Sequence, residues 1–113
     1  MHVFISSPYS DGDKLSSEQR EANVKRSIAI ANELIERGHI PFVPLLSHYW
    51  NEETPHDYST WLMWSLSWLK RCDCVLRVGG WSTGTVIEER AAREANIPVY
   101  FSVLDIPDVG NIR

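Results

Sequence analysis

Four short runs of β-branched and aromatic residues, separated by segments of helical character, constrain this chain more than any other feature. The runs are "HVFIS" at residues 2–6, "IPFVPLL" at 40–46, "DCVLRV" at 73–78 and "IPVYFSV" at 97–103. Such strand–helix alternation predicts a parallel sheet with helices on both faces. We expect a single-domain, three-layer α/β sandwich of flavodoxin-like or Rossmann-like type. Its sheet has four to five strands, with the first strand near the centre. Ligands in doubly wound sheets bind beyond the carboxyl ends of the strands, where the strand order reverses. The polar loops after strands one and three, "SSPYSDGD" and "GGWSTGT", are therefore expected to converge on one crevice.

The helical segments carry their own signals. Ser16 and Gln19 fit a capping box, Val24, Ile28, Ala31 and Ile35 recur at helical spacing, and Gly38 ends the segment. Pro41 and Pro44 suggest an edge position or an early end for the second strand. Residues 47–56 read as a polar loop, 57–71 as a second helix, and a third helix runs through Glu94. Trp61, Trp64 and Trp68 form a stripe on the second helix, suited either to core packing or to an oligomer interface.

A length of 113 residues holds one domain. Its net charge of −4 argues against a nucleic-acid polymer as partner. No run approaches the roughly 20 apolar residues that cross a bilayer, so no membrane partner is expected. "MHVFISSPYS" lacks the basic start of a signal peptide, and Cys72 and Cys74 read as reduced thiols, both of which suggest a cytoplasmic protein. His48, His56 and Asp57 crowd one loop without the spacing of a metal site.

The glycine-rich stretch "GGWSTGTVIEE", Gly79 to Glu89, has two readings. Gly80 and Gly84 with the hydroxyls around them can cradle a phosphate at a helix N-terminus, or they can merely turn and cap. Glu88 lies about one helical turn beyond Gly84 and can lean into the same crevice, whereas Glu89 is rotated away from it by roughly 100°. A carboxylate beside a sugar or phosphate suits attack at an anomeric carbon. Trp81 can stack on a base or simply pack. Tyr9 and Lys14 are candidate sugar or phosphate contacts.

These stretches resemble the nucleoside 2-deoxyribosyltransferase-like superfamily over nearly the whole chain, residues 1–113. "VFISSPYS" is similar to its opening strand and loop, and "NVKRSIAIANELIERGHIPFVPLL" to its first helix and second strand. "LKRCDCVLRVGGWSTGTVIEERAAREANIPVY" is similar to its signature region, in which Ser82, Gly84 and Glu88 fall at the signature positions. The resemblance implies Glu88 as catalytic nucleophile and Ser82 at the ligand's 5′ end. It associates Ser there with relatives that hydrolyse nucleoside 5′-monophosphates, which fits a hydroxyl's ability to donate where a carboxylate would repel. It implies that Ser7 offers its backbone to the ligand. It further implies a homo-oligomer, a nucleoside or nucleotide as partner, and no cofactor and no metal.

Two positions depart from the pattern. Phe4 stands where many members carry an orienting Tyr, and Ser65 where many carry an Asp that contacts the leaving base or sugar. Tyr9 is a candidate replacement for the hydroxyl, and Asp57 or Asp11 for the carboxylate. The expected activity is cleavage or transfer of an N-glycosidic bond through a glycosyl-enzyme intermediate. The competing expectations are a non-catalytic nucleotide-binding module of the same fold and an oligomeric scaffold built on the Trp stripe.

Overall fold

A computed structural model describes residues 1–9 and 15–108. Four strands form one wholly parallel sheet: β1 (His2–Ser6), β2 (Ile40–Phe42), β3 (Cys74–Arg77) and β4 (Val99–Tyr100). Their order is β2-β1-β3-β4. The central pairing sets Val3 beside Cys74 and Ser6 beside Arg77. Four α-helices surround the sheet: α1 (Ser17–Glu36), α2 (Ser47–Glu53), α3 (Tyr58–Leu69) and α4 (Thr83–Glu94). The expected three-layer α/β sandwich with a four-stranded parallel sheet is what the chain forms.

Alternation along β1 divides the core in two. Val3 and Ile5 join Cys74 and Leu76 under Ala31 and Leu34 of α1, closed by Ile106. Phe4 and Val75 face the other way, under Leu69 of α3 and Ala92 of α4. With its middle residues buried on both faces, β1 reads as a continuous apolar run, as central parallel strands do.

The capping box of α1 is present, with Ser16 Oγ accepting from Gln19 N at 3.2 Å and Gln19 Oε1 accepting from Ser16 N at 2.8 Å. Gly38 ends the region with φ +87°. The buried face of α1 is nevertheless Val24, Ser27, Ala31 and Leu34, and Ile35 is 58% exposed. Small Ser27 and Ala31 allow close approach to the sheet, which the count of large apolar residues misses.

Three further expectations are corrected. Residues 47–56 are not a loop throughout, because Pro44 opens a 3₁₀ turn (Pro44–Leu46) that runs directly into α2. The fourth strand is only Val99–Tyr100, after which Ser102 Oγ accepts from Leu104 N and begins a 3₁₀ turn (Val103–Asp105). The Trp stripe is not core: α3 buries Ser65 and Leu69, and Trp68 is 47% exposed. Its rings instead build an aromatic wall in which Phe42 stacks on Trp68 at 5.5 Å and Trp61 meets Trp50 at 5.1 Å. Cys72 lies just before β3 rather than on it, and both thiols are free and pushed up to about 11, chiefly by burial. No helix among the described residues is long and apolar enough to cross a membrane.

Candidate functional site

At the carboxyl ends of β1 and β3 the chain opens into a cavity of about 520 Å³. Ser7, Tyr9, Ser65, Ser82, Gly84 and Glu88 all line it. Gly80 and Trp81 are not among the lining residues, and the Trp81 ring is 69% exposed. Lys14 and Asp11 lie outside the described residues. Asp57 is exposed at the start of α3 and does not line the cavity. A second hollow between α3 and α4 is bordered by Lys70, Arg90 and Glu94, all of them exposed, and holds no buried polar group.

The turn that brings α4 to this point depends on Gly79. Its φ is +76°, and a Cβ there would meet the Pro8 ring at 2.9 Å. The β1 and β3 loops are thereby fitted to each other. The Arg77 guanidinium fastens the same turn, donating to the carbonyls of Val78 at 2.7 Å and Gly80 at 2.5 Å. Gly80 has open space around it, and a Cβ on Gly84 would approach only Ser82 Oγ, at 3.9 Å. Neither uses a positive φ, so Gly84 leaves room in the cavity rather than shaping the chain.

Ser82 is the N-cap of α4 in a reciprocal capping box. Its Oγ accepts from Thr85 N at 3.1 Å, and Thr85 Oγ1 accepts from Ser82 N at 3.0 Å. Ser82 also donates its hydroxyl to Thr85 Oγ1 at 3.1 Å. That leaves the first peptide N–H groups of the helix, at Thr83 and Gly84, without intrahelical acceptors, beside the cavity. Ser7 Oγ is buried in the same cavity wall and has no hydrogen-bond partner among the described residues.

Glu88 carries the strongest perturbation. Ser6 Oγ donates to its Oε1 at 2.7 Å. Burial pushes the carboxyl up from its ordinary 4.5 to about 7, opposed by the Ser6 hydrogen bond and the Arg77 charge. Glu89, as its rotation requires, points elsewhere and pairs with Arg93 at 3.4 Å. A titratable group perturbed in this way inside a cavity is a marker of a functional site.

Ser6 was absent from the sequence candidates. Phe4 is fully buried and stacks on Phe42 at 5.7 Å, so it plays no polar part. The orienting hydroxyl stands two residues further along β1, on the same face of the strand. That alternation was the available signal.

The far wall contains a second polar group. His48 on α2 is buried, and its Nδ1 lies 2.5 Å from the Tyr9 hydroxyl. Its Nε2 lies 2.7 Å from Glu52 Oε1. Tyr9 is fixed through its carbonyl, which accepts from Asn23 Nδ2 at 3.1 Å, and burial pushes its phenol up. Trp61 is tied to the wall by donating to Asn51 Oδ1 at 2.7 Å. The i,i+4 spacing of His48 and Glu52 is legible in sequence only once α2 is recognised as a helix.

Comparison with known proteins returned no matching curated protein and no matching solved structure. Residues 1–102 match a domain of unknown function, DUF7768, and the chain belongs to that family.

Proposed function

We propose that the protein cleaves or transfers the N-glycosidic bond of a nucleoside 5′-monophosphate or a nucleoside, with Glu88 as the nucleophile. One observation carries this reading: a hydrogen-bonded, desolvated carboxylate shares a cavity with a serine hydroxyl that has no partner among the described residues and with the N-terminus of α4. A buried carboxylate is costly in the free protein. The positive charge that develops at C1′ as a base departs favours its ionised form, so the interaction strengthens towards the transition state. Ser6 holds the attacking carboxylate in one orientation, which lowers the entropic barrier to attack.

The phosphate of a 5′-monophosphate meets the partial positive charge at the start of α4 and the amides of Thr83 and Gly84. Ser82 can go on accepting from Thr85 N while its hydroxyl hydrogen turns from Thr85 to the phosphate. No step requires a metal or an organic cofactor.

The experiment is incubation with nucleosides and nucleoside 5′-monophosphates, ribo and deoxy, with free base followed by chromatography. Release by the unmutated protein but not by Glu88→Gln supports the reading, and dependence on the phosphate supports the role of Ser82. Nucleotide binding without release from any substrate would overturn it in favour of a binding module.

A further inference from the structure

We propose that Tyr9, His48 and Glu52 form the proton relay that protonates the departing base, an inference that rests on the glycosidic reading above. A nitrogen base leaves far more readily as N–H than as an anion, so the cavity needs a proton donor as well as a nucleophile. Ser65 holds no acid, and its hydroxyl is satisfied by the Leu62 carbonyl at 3.1 Å. The titratable residues among the described lining are Tyr9, His48, Tyr58 and Glu88. Glu88 is the nucleophile, and Tyr58 is 63% exposed. Tyr9 and His48 remain, and they are bonded to each other.

The imidazole bridges a hydroxyl and a carboxylate, the arrangement by which a third group orients a proton-transferring histidine. Glu52 fixes a proton on Nε2, which leaves Nδ1 facing the Tyr9 hydroxyl. When His48 is charged, Nδ1–H donates to Tyr9 Oη, and the phenol proton is free to point into the cavity. Arg20 sits 6.0 Å from the centre of the Tyr9 ring, where its charge favours the phenolate and so eases release of the phenol proton. Burial keeps that phenol in its protonated, donating form.

The step balances as follows. A Glu88 carboxylate oxygen bonds to C1′ as the C1′–N bond breaks, and the electron pair leaves with the base. Tyr9 gives its proton to the base nitrogen and takes the Nδ1 proton from His48, which ends neutral. Water then attacks C1′ and frees the Glu88 carboxylate, and its proton returns through Tyr9 to His48. One water is consumed, and the protein is regenerated. Tyr9 is the catalytic acid, His48 supplies its proton, and Glu52 is a positioning residue.

The test uses leaving groups that differ in their need for a proton. The unmutated protein, Tyr9→Phe, His48→Gln and Glu52→Gln are assayed on guanosine and 7-methylguanosine 5′-monophosphates, and on uridine and 5-fluorouridine 5′-monophosphates. The 7-methylated guanine is already cationic in the nucleotide and leaves neutral without a proton, and 5-fluorouracil is the better-stabilised anion. Tyr9→Phe and His48→Gln are expected to lose roughly 10²–10⁴-fold on the ordinary substrate. They should lose no more than about tenfold on its activated counterpart. Glu52→Gln, altered at a side chain that is 62% exposed and so safe for folding, should show the same pattern at smaller size. Equal losses on both members of a pair, with melting temperature unchanged, would overturn the relay. So would a Tyr9→Phe protein as active as the unmutated one. Where the full ribo and deoxy panel of nucleosides and 5′-monophosphates gives a better ordinary substrate, its activated counterpart replaces these pairs; base release from no member of that panel by the unmutated protein would overturn the glycosidic reading itself, and the relay with it.

Discussion

At the strand end of the cavity, Ser6 is bonded to Glu88 and Ser82 to Thr85 through hydrogen bonds of 2.7 to 3.1 Å. Across from them, the α2–α3 wall is made of rings and edges: Trp50, Trp61 and Trp64 meet one another edge-on, and His48 meets Tyr9. The first region is fixed by regular structure, since a strand end, a tight turn and a helix cap bring Ser6 to Glu88 across 82 positions of sequence. The second joins residues 39 positions apart in the Tyr9–His48 contact alone. One end therefore carries charge held against a cost, and the other carries aromatic surface suited to a flat ligand. A molecule with a sugar in the middle and a base at one side matches that division.

The largest effect that would break or sharpen this comparison concerns Glu88. On the proposed chemistry, Glu88→Gln lowers base release by on the order of 10⁴-fold or more, as loss of a nucleophile does. The same substitution has the opposite sign for stability. Because the carboxyl is raised from 4.5 to about 7 in the folded protein, the unfolded chain releases this proton first as pH rises. The contribution to stability is thus fully present below about pH 4.5 and is lost between there and about pH 7. Glu88→Gln removes that loss. Denaturant titrations should show the variant no different at pH 4.5 and more stable at pH 8 by up to about 3 kcal/mol, less to the extent that water reaches the carboxyl. A variant less stable at pH 8 would show that Glu88 is held by favourable contacts rather than against desolvation.

Gly79 joins the two loops of the strand end, and nothing comparable exists in the aromatic wall. Gly79→Ala puts a Cβ at φ +76° and 2.9 Å from the Pro8 ring. The backbone term alone costs about 1–2 kcal/mol, and the contact adds to it. Gly80→Ala, with open space around it, should cost under about 1 kcal/mol. Paired chemical denaturation of the two variants checks the difference. Equal costs would mean that the β1 and β3 loops are not fitted through Gly79.

This contrast also explains what was legible in the sequence. Strand ends, the Ser16 and Ser82 caps and the inward lean of Glu88 follow from local rules, so they were readable residue by residue. Helix α2 was not. It has no side-chain cap, spans seven residues, and is entered from a 3₁₀ turn, so periodicity had too little length to show. Without that helix, His48 reads in sequence only as a metal-ligand candidate. The Trp stripe misled for a related reason: spacing says which residues share a face, but not which face the sheet covers. Here the sheet covers Leu69, while Ser65 is buried at the cavity wall. Phe4 drew attention to a missing hydroxyl, yet the replacement lay two residues on, in a serine with no motif around it.

The smallest predicted effect separates two serines that look alike in sequence. Ser6 donates to the Glu88 carboxylate, and that bond works against the rise caused by burial. In Ser6→Ala the carboxyl therefore titrates higher still. Base release needs the ionised form, so its ascending limb should move to higher pH by up to about one unit, equivalent to about tenfold at neutral pH. At high pH the rate should largely recover. Ser82→Ala breaks a helix cap and should cost about 1 kcal/mol of stability without moving that limb. If both variants shift the pH profile equally, the network acts as one unit and Ser6 has no privileged hold on Glu88. If only Ser6→Ala shifts it, the central strand tunes the carboxylate, and the α4 cap serves the phosphate end.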